Sequence, residues 1–194
     1  MTTEEFKQYW QKHYPECPPI AHYLKFDCNH RWLRIHTLPQ SKRYAETQEE
    51  YQEILKRHNA LLTELLGKND RYLLITVGYS KTVIPVRPEK ELGRLVATNR
   101  HLLSLAIHKL EGEGDPNYRH LYINERVWIE HSMDDLLKMV ADDEIANVMF
   151  IGVEQKCLYH PYDGGADIVL ESEAARDILK KRYSAWLSNH PEGL

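Results

Sequence analysis

The sequence predicts an α+β fold: a largely antiparallel sheet with β-hairpins, packed by a long amphipathic helix and a C-terminal helix. Two observations predict it. The stretch from Thr47 to Leu66 places apolar side chains at helical spacing along its whole length. The last third of the chain holds short apolar runs joined by turn residues, so strands follow one another through hairpins, with helices at both ends of the chain.

The elements follow in chain order. The opening "TTEEFKQYWQKH" puts Phe6, Tyr9, Trp10 and His13 on one helical face, with Thr2 and Glu5 spaced as a capping box. In "HRWLRIHTL", Trp32, Arg34 and His36 alternate with Leu33, Ile35 and Thr37, which predicts a strand. Thr47 and Glu50 repeat the capping-box spacing, and Gly67 is the expected stop of the long helix. Its Tyr51, Ile54, Leu55, His58, Leu61, Leu62, Leu65 and Leu66 face inward, while Glu49, Gln52, Glu53, Lys56 and Arg57 face away.

"RYLLITVGY" is apolar and β-branched enough for a central strand. Pro85 and Pro88 make "SKTVIPVRPEK" an edge or a loop. "ELGRLVATNRHLLSLAIHKLEGEG" reads as a buried helix, and "HLYINERVWIEH" as strands around a polar bend at Asn124 and Glu125. Ser132 and Asp135 open a short helix that turns Met133, Leu136, Leu137 and Val140 inward. "ANVMFIGV" and "KCLYHPY" are strands joined by a tight turn at Glu154–Lys156, and "ADIVL" is the return of a second hairpin. The last helix starts at Ser172 and buries Ala175, Ile178, Leu179, Tyr183, Trp186 and Leu187. The chain is expected to form one domain, with 1–30 an N-terminal helix and loop and 31–194 the core.

A chain of 194 residues, 42% hydrophobic and 28% charged, with a net charge of -4, has the composition of a water-soluble protein. The negative balance argues against nucleic acid or an anionic membrane as partner, and no apolar run approaches the roughly 20 residues that span a bilayer. The acidic start lacks a signal-peptide layout, and Cys17, Cys28 and Cys157 have no paired spacing, so the expectation is a reducing cytoplasm without a disulfide framework.

The stretch "LYHPYDGGAD" concentrates chemistry. Asp163-Gly164 is a favoured type I′ pair, and Gly164-Gly165 would also serve; the first puts His160 opposite Asp167, the second Tyr162. Either loop leaves His160, Tyr162 and Asp167 on one face and Tyr159, Pro161, Ala166, Ile168 and Leu170 on the other. An imidazole, a phenol and a carboxylate together suit general acid–base catalysis. Cross-strand polar pairs that merely hold the register are the commoner device.

Lys42 and Arg43 precede the long helix, whose free N–H groups would help hold phosphate or carboxylate; ion pairs to Glu46, Glu49 and Glu50 are the ordinary alternative. Asp142, Asp143 and Glu144 form an acidic cluster suited to a partner or to solvent. Cys28 and His30 lack zinc-finger spacing, and His120, His131 and His160 would need the fold to converge, so no metal and no cofactor is expected.

"RIHTLPQSKRYAET", "VADDEIANVMFIG", "LYHPYDGGADIVL" and "WLSNHPEGL" together resemble a family of small bacterial proteins defined as a domain of unknown function. The resemblance runs from about Trp32 to Leu194. It implies a bacterial cytoplasmic protein, and groups Arg34, Ser41, Lys42, Arg43 and Tyr44 with His160, Tyr162, Asp163 and Asp167 as distinctive polar positions. The functional expectation is a noncatalytic binding protein, immunity-like or accessory to a protein partner. The alternative is an enzyme or ligand-binding domain with a small anion held between the Arg34/Lys42/Arg43 region and the His160–Asp167 hairpin. A concave polar pocket uniting those segments decides for the alternative.

Overall fold

A computed structural model describes residues 1–87, 98–110, 112 and 114–188. Its helices are α1 (Thr3–His13), α2 (Leu24–Asp27), α3 (Gln48–Leu66), α4 (Ile107–Leu110), α5 (Asp134–Ala141) and α6 (Glu173–Arg182). The strands are β1 (Trp32–His36), β2 (Arg71–Ser80), β3 (Arg100–Ala106), β4 (Tyr118–Val127), β5 (Met149–Gly152), β6 (Cys157–Tyr162) and β7 (Gly165–Val169). They form one sheet in the order β1-β7-β6-β5-β2-β4-β3, every neighbouring pair antiparallel. This is the α+β architecture the sequence predicts. Among the described residues no helix is long and apolar enough to cross a membrane.

The alternation of strand side chains divides the interior into two cores. On one face Ile35, Leu74, Phe150, Tyr159 and Ile168 pack against α3 through Leu61, Leu62 and Leu65, against α5 through Leu136, Leu137 and Val140, and against α6 through Leu179. On the other, Leu73, Ile75, Leu121, Met149, Ile151, Leu158 and Val169 pack against Phe6 and Trp10 of α1 and Leu24 of α2. The N-terminal helix is therefore part of the core.

The helix starts follow local chemistry. Thr2 and Glu5 form the full capping box, and Ser172 accepts from the Ala175 N–H. Thr47 accepts from the Glu50 N–H, but the Glu50 carboxylate takes Lys42 and the Glu46 N–H instead of closing the box. The short helix α5 is capped at Met133 without a side-chain bond, not by Ser132.

Four expectations need correction. Residues 100–106 are strand β3, not helix: an apolar run of that length has no period that separates the two, and β4 offers an open edge to pair with. Residues 91–97 of the same expected helix, Pro88 and the end of "WLSNHPEGL" lie outside the described residues. The strand β4 runs straight through Asn124 and Glu125, because β2 is long enough to pair with all of it, from Arg71↔Val127 to Ser80↔Tyr118. On α3, Arg57 turns inward, where it donates to the His36 carbonyl at 3.0 Å, pairs with Glu53 at 2.7 Å and lies over the Trp186 ring; Leu55 is only half-buried. On α6, Ile178 is 62% exposed, since the helix touches the core along a narrow line through Leu179.

Candidate functional site

The strands β1, β7 and β6 lie side by side, and their registers place three charged or titratable groups in one row. Arg34 pairs with Asp167 across β1 and β7, and Asp167 pairs with His160 across β7 and β6. The next row holds His36, Gly165 and Tyr162. Both rows project toward the α1–α2 side of the sheet. They floor a cavity of about 420 Å³ that His22, Lys25, Ser41, Arg43, Asp163 and Gly164 complete.

The hairpin register is that of a two-residue Asp163-Gly164 loop, with Tyr162 opposite Gly165. A type I′ turn requires positive φ at both central residues, and neither has it. The glycines are needed for space instead. A Cβ on Gly165 would lie 1.9 Å from the Ile35 carbonyl oxygen, and one on Gly164 would lie 2.9 Å from the Tyr162 ring.

Two buried carboxylates hold two arginines. Asp167, 2% exposed, accepts from Arg34 Nε at 2.8 Å and Nη2 at 2.9 Å in a bidentate pair, and the guanidinium stacks 4.7 Å from the Tyr162 ring centre. Asp163, 5% exposed, accepts from Arg43 Nε at 2.6 Å and from the Tyr44 hydroxyl at 2.8 Å. Arg34 is thus fixed along one edge of its guanidinium, and Arg43 through Nε alone. Among the described residues, Nη1 of Arg34 and both terminal nitrogens of Arg43 have no hydrogen-bond partner, and both side chains line the cavity.

The imidazoles are the other half of the site. His36 Nε2 and His160 Nδ1 are buried without a hydrogen-bond partner, on side chains 8% and 7% exposed. His160 Nδ1 stands 3.9 Å from Asp167 Oδ2, in ion-pair reach but beyond a hydrogen bond. Burial, then the positive charge of Arg34, holds His36 below the usual histidine value. Burial works to raise Asp167, but His160 and Arg34 outweigh it and keep the carboxyl below its ordinary range. Burial raises the Tyr162 phenol, so it is a neutral donor and acceptor.

Arg34, Arg43, His160, Tyr162 and Asp167 meet in this cavity, as do Ser41 and Asp163 of the family-derived positions. Lys42 does not: its ammonium lies 2.7 Å from Glu50 and 3.0 Å from Glu46, the ordinary alternative. No residue of the first turn of α3 lines the cavity either. Asp142, Asp143 and Glu144 stay exposed beyond α5, Asp142 accepting from the Tyr51 hydroxyl.

His120 is bonded to Ser80 and Ser104, His131 to Asp134, and neither joins His160. Among the described residues no three His, Cys, Asp or Glu side chains are grouped to hold a metal ion. Sequence reasoning missed His36, His22 and Lys25. The first shares the β1 alternation with Arg34, so its face was readable; the other two lie in α2 and the helical turn before it, whose docking no local pattern announces.

Comparison with curated proteins and with solved structures found no match. A family model does match, over residues 20–191, which takes in every residue of the cavity. The chain belongs to the family described as Domain of unknown function (DUF3885).

Proposed function

We propose that this protein is a noncatalytic binding domain for a small anionic ligand of the phosphate type, held between Arg34 and Arg43 with His36 and His160 as additional contacts. One observation carries the reading. Two arginines are each held by a buried aspartate, Arg34 along one edge and Arg43 through Nε, and keep terminal nitrogens without a partner among the described residues, in a cavity that also holds two unpartnered imidazole nitrogens. Guanidinium donors fixed in this way bind an oxyanion without first losing side-chain freedom. Lys25 adds a third cation to the lining.

The carboxylate that general base catalysis would use is Asp167, and both its oxygens already accept from Arg34. That supports binding over turnover. The noncatalytic character expected from sequence stands in this reading, but the occupant becomes a small anion instead of a protein.

Titration calorimetry with inorganic phosphate and pyrophosphate tests it. Arg43 is the informative position, because its side chain is 62% exposed and the buried Asp163 it meets keeps the Tyr44 hydroxyl as a donor when Arg43 is replaced. Arg43→Gln is expected to weaken binding about tenfold or more, the worth of hydrogen bonds to a charged group, in a variant whose cooperative thermal unfolding shows that it is folded at the assay temperature. Absence of phosphate or pyrophosphate binding by the wild-type protein at low salt overturns the reading.

A further inference from the structure

Eleven residues apart in sequence, Cys17 and Cys28 come together in the fold. Their Sγ atoms lie 3.0 Å apart in the α1–α2 core, and both thiols are free. That is about 1 Å beyond the ~2.05 Å of a disulfide bond, so closure needs only a small side-chain shift. The third cysteine, Cys157, is bonded to the Leu65 carbonyl on the opposite face of the sheet.

The loop that such a bond would close carries α2 and the turn before it. Ile20, Ala21 and Leu24 anchor this segment in the core, while His22 and Lys25 line the anion cavity. The helix has four residues, too few for independent stability, so the segment's order depends on its contacts with the rest of the chain, the His22–Asn147 hydrogen bond among them.

We propose that Cys17 and Cys28 form a thiol–disulfide pair whose oxidation by a small-molecule or protein disulfide pins the 18–27 segment over the cavity. Only its effect on ligand affinity rests on the anion-site reading. The chemistry is thiol–disulfide exchange. The Cys17 thiolate attacks one sulfur of the oxidant, its proton passing to solvent, and the oxidant's S–S bond breaks to release one thiolate. The Cys28 thiolate then displaces the second from the mixed disulfide. Two protein thiols are oxidised to one disulfide, and one external disulfide is reduced to two thiols. The Cys17 thiol is pushed well up by its contact with Cys28 and by burial, so the attack proceeds from a locally opened segment. The pinned form keeps His22 and Lys25 in place before the ligand arrives, which tightens binding by preorganisation.

The experiment treats the full chain, reduced and purified, with glutathione disulfide. The intact mass should fall by two hydrogens, and peptide mapping should link Cys17 to Cys28 while Cys157 stays alkylatable after unfolding. Hydrogen exchange of the 20–27 amides should slow, the thermal midpoint should rise by roughly 5–10 °C, and phosphate should bind severalfold tighter. Cys17→Ser and Cys28→Ser should each abolish the response to oxidant.

Thiols that stay free after both native oxidation and refolding in oxidant overturn the proposal, as does a cross-link that leaves exchange of the segment unchanged. A cross-link that slows exchange but leaves phosphate affinity unchanged overturns the link to the site. If phosphate binds neither form, the anion reading fails, while the mass and exchange results still decide the disulfide.

Discussion

Arg34 and Asp167 face each other on neighbouring strands and meet through two parallel hydrogen bonds of 2.8 and 2.9 Å, although 133 residues separate them in the chain. The carboxylate side chain is 3% exposed and the guanidinium 14%, so each neutralises a charge that the other's removal would leave in a poorly solvated place. The pair orients Arg34 for the cavity and fixes β1 on the sheet edge.

Asp167→Asn removes one charge and keeps the shape. It should destabilise the fold by about 3–5 kcal/mol, the cost of stranding a mostly buried partner, read from a urea titration at neutral pH. The folded carboxyl titrates below its usual value of 3.8, so its contribution is complete above that value and is lost as pH falls through the lower folded value. The gap between wild type and variant should therefore close in acid. A gap that persists unchanged to the lowest pH would refute the charge pair as its cause.

His58 controls a different pH range. It is fully buried on α3, hydrogen-bonded through Nδ1 to the Tyr159 hydroxyl at 2.5 Å, and burial lowers it from 6.5 to about 3. Below about pH 6.5 the unfolded chain takes up a proton that the folded chain refuses. Stability should fall with decreasing pH between about 6 and 4, with a slope approaching ~1.4 kcal/mol per pH unit from this residue. His58→Gln keeps a group that can donate to or accept from Tyr159 and should flatten that slope. Equal slopes in the two proteins would show that His58 is not the acid-sensitive group.

Leu62 and Ile178 test the packing of the helices. Leu62 is 0% exposed in the main core, so Leu62→Ala should cost about 2–5 kcal/mol. Ile178 is 62% exposed, and Ile178→Ala should change stability by no more than about 0.5 kcal/mol. Comparable losses at both positions would mean that α6 is seated on a different face.

Gly165 tests the close approach of β7 to β1. An added Cβ would sit 1.9 Å from the Ile35 carbonyl oxygen, with backbone on both sides of the clash. Gly165→Ala should destabilise by about 1–3 kcal/mol, as overpacking does, and should weaken phosphate binding because it displaces Arg34 and His36 together. An alanine variant as stable as the wild type would remove the steric explanation for this glycine.

Much of the site was legible because strand alternation is local. His160, Tyr162 and Asp167 share a face whichever two-residue loop closes the hairpin, and Arg34 and His36 share one on β1. The type I′ expectation failed for a reason sequence does not carry: the glycines answer to the Ile35 backbone and to the Tyr162 ring, not to their own dihedral angles. The strand β3 was read as a helix because its apolar run fits both periods, and only the open edge of β4 decides between them.

What the sequence determined by itself is what depends on neighbours within a turn or a hairpin. The Thr2, Thr47 and Ser172 caps, the span of α3 up to Gly67, and the facing of His160 and Asp167 all rest on groups a few residues apart. The tertiary structure decided which partner each polar group meets. Arg34 finds Asp167 because β1 joins the sheet beside β7, and Lys42 is withdrawn to Glu50 while Arg43 reaches Asp163. His22 and Lys25 reach the cavity, and Cys17 meets Cys28, because burial of Leu24 and Cys28 draws their loop onto the sheet. The physical reason is that hydrophobic burial is nondirectional: it dictates which faces turn inward, while the order in which strands pair decides which charges those faces bring together.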